Sequence, residues 1–175
     1  MTWAETAGLD VVLDLHWSDS GVFDNCLVNK GCEQQRMADV NSLTFWSEVA
    51  TRYQNDGRVM FELYNEPNQV SWSAWKSGGP ANGFQAVGMQ QLYDTVRATG
   101  AQNLVLIGGL DWAYDLSGVP ANRIAGYNIA YATHPYDAGS RRPADWGRAF
   151  GFLTRTDPVV ITEFGNIADT SCATD

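Results

Sequence analysis

Residues Val59 to Asn68 read VMFELYNEPN, an almost unbroken apolar run that stops on Asn65-Glu66-Pro67. Near-continuous apolarity over so few residues, rather than strict alternation, marks a parallel strand covered on both faces. The strand is expected over Val59 to Tyr64, and four other runs have the same form: Val11 to Leu15, Leu104 to Ile107, Ile129 to Ala132 and Val159 to Thr162. Between them lie helical patterns. Leu43, Trp46, Ala50 and Tyr53 follow the 3, 4, 3 spacing of one helix face, with Asp39 and Asn41 as caps and Gly57 as the stop. Met89, Leu92 and Val96 repeat the pattern before Gly100, and Trp146, Phe150 and Leu153 do so before Pro158. Strands alternating with helices predict an α/β fold with a parallel sheet.

The chain has 175 residues, and 45% of them are hydrophobic, enough for one folded domain with a real core. A closed (β/α) barrel of the TIM type takes about 250 residues, whereas five βα units of roughly 35 residues fill this chain. The expectation is therefore an incomplete or truncated barrel occupying residues 1–175 as a single unit. Trp3 to Gly8 reads as the tail of a helix feeding the first strand, which points to an N-terminal truncation. Open sheet edges in such a barrel would favour self-association.

A net charge of −9 without a basic run disfavours nucleic acid as a partner. No apolar stretch approaches the ~20 residues of a membrane span. Cys26 and Cys32 could form a disulfide or remain two reduced thiols, and Cys172 stands near the end. Their spacing lacks the paired pattern of a zinc site, and no HxH or HExxH pair is present. No metal or organic cofactor is expected, and the cysteines lean toward an oxidising, extracellular location.

Chemistry is expected where the strands stop, because loops at the carboxyl ends of parallel strands converge on one crevice. The five ends present Asp14-Leu15-His16-Trp17, Asn65-Glu66-Pro67, Asp111-Trp112, His134-Pro135-Tyr136 and Glu163-Phe164-Gly165. Glycosidic hydrolysis needs one carboxylic acid to protonate the leaving oxygen and one carboxylate to attack or to activate water. Glu66 and Glu163 are placed to be that pair, provided the fold joins two distant strand ends. A carboxyl separation of about 5 to 5.5 Å would indicate retention, and roughly 6.5 to 9.5 Å inversion. Trp17, Trp112, Trp72 and Trp75 are candidates for stacking on sugar rings, whereas Trp46 and Trp146 lie on apolar helix faces and should pack in the core. Asp14 is expected to be an internal hydrogen-bonding or ion-pairing group.

The motifs VMFELYNEPN, VITEFGN at Val160 to Asn166, DLHW and HPY together resemble the retaining β-glycanases of glycoside hydrolase family five, which includes many cellulases and mannanases. The resemblance runs from that family's third strand to its seventh. It implies that Glu66 is the acid/base, that Glu163 is the nucleophile, and that Asn65 bonds the sugar 2-hydroxyl. It further implies that Tyr136 holds the nucleophile while His16 and His134 line the cleavage subsite. The family's second strand usually supplies an arginine beside the nucleophile, and its eighth an aromatic platform; neither strand is in this stretch, and Arg141 and Arg142 match no family motif. The implied activity is a retaining endo-β-1,4-glucanase acting on a β-linked polysaccharide or oligosaccharide. β-Mannanase and a catalytically inactive carbohydrate-binding remnant are the alternatives.

Overall fold

The computed structural model describes residues 2–17, 35–81, 83–137 and 141–166. All three cysteines lie outside these residues. A short helix α1 (Thr2–Thr6) leads into strand β1 (Val11–Asp14), followed by α2 (Val40–Tyr53) and β2 (Val59–Glu62). Next come α3 (Trp72–Ser77), a small antiparallel hairpin of β3 (Gly79–Ala81) and β4 (Phe84–Ala86), and α4 (Met89–Ala98). Strand β5 (Val105–Gly108), helix α5 (Val119–Asn122), β6 (Ile129–Thr133) and the two-residue β7 (Tyr136–Asp137) follow. The described chain ends with α6 (Pro143–Ala149), a 3-10 turn, β8 (Val159–Ile161) and β9 (Gly165–Asn166).

Five strands form one parallel sheet in the order β1-β2-β5-β6-β8, so every sheet neighbour is also the next such strand in the chain. This is the expected α/β arrangement, an incomplete barrel of five strands with helices. Asp39 caps α2 as expected: its carboxylate accepts from the backbone N–H groups of Asn41 and Ser42, and the Ser42 hydroxyl accepts from the Asp39 N–H. Asn41 is therefore inside the helix rather than its cap. The third helical pattern differs more, because α6 ends at Ala149 and Gly151–Arg155 tighten into a 3-10 turn. Phe150 and Leu153 are nevertheless buried, so the apolar spacing located the buried face without fixing the helix type.

Alternation along each strand sends successive side chains to opposite faces. Val59, Phe61, Val105, Ile107 and Tyr131 join the large core with Trp46, Trp75, Leu92 and Val96 from the helices. Leu106, Ala130 and Ala132 form a separate cluster with Met60, Leu104 and Val160 on the concave face. One pleat further along, the same concave row carries Asp14, Glu62, His134 and Thr162. A small apolar floor thus ends in a polar rim at the carboxyl ends of the strands.

Candidate active site

Backbone pairing extends β2 past its last ladder residue: the Leu15 N–H donates to Glu62 O, and the Asn65 N–H donates to Leu15 O at 3.1 Å. The turn after it is fixed by Asn68, whose side-chain amide donates to Glu66 O and whose backbone N–H donates to Arg36 O. Glu66 is consequently delivered to the rim, partly exposed, while Asn65 beside it is only 2% exposed. From the far side of the sheet, the segment after β8 brings Glu163 to the same place. One carboxylate oxygen of Glu66, one of Glu163 and a ring nitrogen of His134 all lie within 4.8 Å of one another.

His134 is the centre of this group. Its side chain is fully buried, with Nδ1 at 3.2 Å from Glu66 Oε1 and 3.7 Å from Glu163 Oε2. On the other side of the ring, Nε2 lies 3.0 Å from Thr162 Oγ1 and 3.7 Å from Glu62 Oε1. Burial alone would lower the basicity of such an imidazole, but the nearby Glu62 carboxylate, the hydrogen bond to Glu66 and the charge of Glu163 outweigh that effect and raise its pKa to about 9. The grouping has the reach of a three-ligand metal site, yet the Nδ1 facing two carboxylates is set up to donate a proton rather than a lone pair.

Tyr136 donates from its phenol to Glu163 Oε2 at 3.0 Å. Burial, then the hydrogen bond to Glu163, pushes the phenol pKa upward, so the group keeps the proton it donates. The contact depends on the short parallel pair β7 and β9, which registers Tyr136 against Gly165. A Cβ at Gly165 would come within 2.9 Å of the Tyr136 ring, which is why a residue without a side chain follows Phe164.

At the opposite edge, His16 is exposed and its Nδ1 lies 2.7 Å from Asp14 Oδ2. Asn65 Nδ2 approaches His16 Nε2 at 3.5 Å, which links the β1 and β2 ends. Asp14 is thus the internal pairing group expected of it. Burial raises its pKa, the hydrogen bond from His16 lowers it, and the charge of Glu62 raises it again.

The tryptophans divide. Trp17 is 66% exposed beside His16, and Trp112 is half-buried at the end of β5. Three successive non-glycine residues there, Asp111, Trp112 and Ala113, have φ near +56°. That strain is held by bonds from Trp112 N–H to Pro67 O and from His134 N–H to Ala113 O. Arg141 pairs with Asp111 at 2.9 Å and lies over the rings of Trp112 and Tyr114. A sugar-stacking role for Trp75 is overturned, because it is fully buried and its indole N–H donates to Gly108 O. Trp72 packs edge-on against Trp75 and closes over Gly118, which also places it with the core. Trp46 is buried as expected.

An open groove of about 430 Å³ between α2 and the β3–β4 hairpin, lined by Asp39, Leu43, Phe84 and Gln91, shares no residue with this rim. The carboxylates stand instead on the open concave side of the sheet. Sequence reading missed Glu62 and Thr162 in the group. The available signal was a lone charged residue two positions after Met60 inside an apolar strand, where a carboxylate is buried only with partners.

A family model described as cellulase, glycosyl hydrolase family 5, matches residues 1–175. The chain belongs to glycosyl hydrolase family 5. Among its relatives, Endoglucanase Z of Dickeya dadantii is 29% identical over 126 residues, covering 72% of this chain and 27% of that protein. Endoglucanase CelA of Streptomyces lividans is 29% identical over 180 residues, covering 98% of the chain and 34% of its own length. The catalytic domain of Thermobifida fusca endoglucanase Cel5A superposes with a TM-score of 0.69 at 26% identity, covering 94% of this chain and 48% of that one. A β-glucanase of Saccharophagus degradans in complex with cellotetraose gives 0.61 at 30% identity, over 71% and 39% respectively. This family 5 chain spans between about a quarter and a third of those curated relatives, and about half of the solved catalytic domain.

Proposed function

We propose that this family 5 chain is the catalytic portion of a retaining endo-β-1,4-glucanase that cleaves β-glucan by double displacement. The observation that carries the reading is the meeting of Glu66 and Glu163 across a gap of at most 4.8 Å between oxygens, close to the separation of retaining pairs. In this reading Glu66 enters protonated and gives its proton to the leaving glycosidic oxygen. Glu163, ionised and oriented by Tyr136, attacks the anomeric carbon, and the C–O bond to the leaving sugar breaks. Water then attacks the glycosyl-enzyme, Glu66 takes its proton, and Glu163 leaves.

Asn65, buried beside Glu66, offers its amide to the 2-hydroxyl, where the bond tightens as the transition state forms. His16, Trp17 and Trp112 line the approach. Relatives that are endoglucanases, and a neighbour crystallised with cellotetraose, support glucan over mannan. A polymeric substrate also supports an extracellular site of action.

A second reading, a carbohydrate-binding remnant without turnover, is favoured by one observation: the cation beside Glu163 among the described residues is His134, not the arginine implied by the family pattern. The two readings separate on one panel. Purified chain is assayed on carboxymethylcellulose, mixed-linkage β-glucan and mannan, with Glu66→Gln and Glu163→Gln as controls. Hydrolysis of glucans that both substitutions abolish supports the glucanase; binding to cello-oligosaccharides without hydrolysis supports the remnant.

Beyond β1 and β8 no further strand of this sheet is present among the described residues. Val12 and Ile161 are 39% and 48% exposed on those strands. Self-association through these edges, or their pairing with a further segment, is the expectation, and size-exclusion chromatography showing only monomer would remove the first.

A further inference from the structure

Three carboxylates converge on His134, and the proposed chemistry uses only Glu66 and Glu163. Glu62 is the third. It is 3% exposed on the concave face of β2 and accepts a hydrogen bond from the Thr162 hydroxyl at 2.8 Å. A hydroxyl has one proton to give. Since Thr162 gives it to Glu62, its oxygen is left to accept from His134 Nε2 at 3.0 Å. At the opposite corner of the ring, Nδ1 faces only carboxylate oxygens, Glu66 at 3.2 Å and Glu163 at 3.7 Å. With Glu66 Oε1 and Glu163 Oε2 both accepting there, and any proton on Glu66 carried by its other oxygen, hydrogen-bond accounting places a proton on both nitrogens. A fully buried imidazolium needs a buried counter-charge, which Glu62 supplies.

We propose that Glu62 and Thr162 form a buried positioning relay that holds His134 as an imidazolium turned toward both Glu66 and Glu163, one fixed cation that serves whichever of the two is ionised. The inference rests on the double-displacement reading and deepens it. In the resting site Glu163 is charged and Glu66 holds the proton. When the bond from Glu163 to the anomeric carbon forms, the glycosidic bond breaks and the Glu66 proton passes to the departing oxygen. Glu163 is now a neutral ester and Glu66 carries the charge. Hydrolysis reverses the exchange, as water's proton goes to Glu66 and the ester electron pair returns to Glu163. The negative charge thus moves between two oxygens that both lie near Nδ1, and the sum over Glu62, His134, Glu66 and Glu163 stays constant. A neutral imidazole would lack this role, and one free to turn would lose it.

The groups that face the ring are Glu62 from β2, Glu66 from the turn after it, and Glu163 from the segment after β8. Tyr136 on β7 is engaged with Glu163, while Asp14 on β1 is engaged with His16. The raised basicity of His134 agrees with this surrounding.

The chain contains two histidines, so imidazole ¹⁵N resonances of the full 175-residue protein can be assigned with a single His16→Gln control. The expected result is a doubly protonated His134 at about pH 8, where an ordinary imidazole is neutral. Thr162→Val, which keeps the shape and removes the hydroxyl, and Glu62→Gln should each weaken proton binding at His134 by roughly tenfold or more, about one pKa unit. Thr162→Ser should restore it. Activity on β-glucan should follow the same order, with kcat falling in Thr162→Val, KM changing little, and Thr162→Ser recovering. A neutral His134 in the parent at that pH overturns the relay, as does an unchanged titration in folded Thr162→Val. Should Glu62→Gln fail to fold, the parent and Thr162 variants still decide. Because the NMR titration needs no turnover, a doubly protonated His134 in a chain without hydrolysis would sink the glucanase reading and the charge exchange built on it, and leave only the positioning of the imidazolium by Glu62 and Thr162.

Discussion

The two faces of the same five strands make different demands on a side chain. Toward the helices, Val59, Phe61, Val105, Ile107 and Tyr131 meet Trp46, Trp75 and Leu92, and what counts there is apolar area and volume. Toward the concave side, a floor of Met60, Leu106, Ala130, Ala132 and Val160 gives way within one pleat to Asp14, Glu62, His134 and Thr162. On that rim each group is useful only if its partner stands within hydrogen-bond reach. Hydrophobic contact is non-directional and degrades gradually, whereas a buried polar network fails sharply when one member is removed. Stability at any pH should therefore answer to the first face, and chemistry together with the pH-dependent part of stability to the second.

The largest effect expected is on the rim. Glu66→Gln should reduce hydrolysis of β-glucan by about 10²- to 10⁴-fold, the range of a lost general acid. The same variant should retain much more of its activity on a cellobioside with a nitrophenol leaving group, which departs without a proton. Glu163→Gln should lose both substrates. Near pH 9, where His134 contributes least, the unfolding midpoints of the two variants should stay close to the parent's, and at lower pH they should lose only the share of the His134 stabilisation that each carboxylate supplies. A large loss of stability in either would erase the distinction between the faces.

On the helix side, Trp46→Ala should cost about 3–5 kcal/mol of unfolding free energy, as large-to-small core changes do. It deletes a fully buried ring and also the bond from its indole N–H to Leu63 O at 2.9 Å. Denaturant unfolding measures the loss. Below the new transition, kcat per folded molecule should match the parent, because the Trp46 ring packs against Phe45 and Phe61 on the helix side of the sheet.

The difference between the faces also explains what the residues alone made legible. Five apolar runs and their order reveal the strands, because burial on both sides leaves a continuous hydrophobic record. The ends of those runs reveal Glu66, Glu163, His134 and Tyr136, since polar residues after a buried strand have few reasons to be there. The relay behind them left a fainter mark. Glu62 lies inside a run read for its hydrophobicity, and Thr162 is an ordinary strand residue, so their meeting depends on the curvature of a sheet rather than on spacing. Trp75 failed in the opposite direction. It follows Glu66 closely in sequence, but α3 turns its indole to Gly108 and into the core. The hairpin at Gly79–Ala86 was missed because strands of three residues carry too few positions to show a period.

A pH titration of stability sharpens the comparison further. His134 has a folded pKa of about 9, above the ordinary value of 6.5. A base whose pKa rises on folding binds its proton more tightly in the folded state. Its contribution is therefore complete below pH 6.5 and is lost as pH rises through about 9. At 1.36 kcal/mol per pKa unit the loss is on the order of 3 kcal/mol. From the low end of that window to the high end, denaturant midpoints should fall by similar amounts in the parent and in Trp46→Ala, whereas His134→Asn should show a much flatter dependence. Equal slopes in all three would mean that the rim contributes no pH-linked stability.

The smallest effect tests whether the faces are separate at all. Asp39 caps α2 on the helix side and is almost fully buried, with its Oδ1 accepting from the backbone N–H groups of Asn41 at 2.9 Å and Ser42 at 3.2 Å. Asp39→Ala should cost about 1 kcal/mol, the usual price of a lost N-cap, and Asp39→Asn should recover most of it. Because α2 packs on the sheet through apolar side chains such as Trp46 against Phe61, the loss should appear in the unfolding midpoint while kcat and the His134 resonances stay unchanged. A drop in kcat with the protein fully folded would mean that the helix end steers the rim through β2. The Trp46 indole bonded to Leu63 O, one residue beyond Glu62, is the contact through which such steering would have to pass.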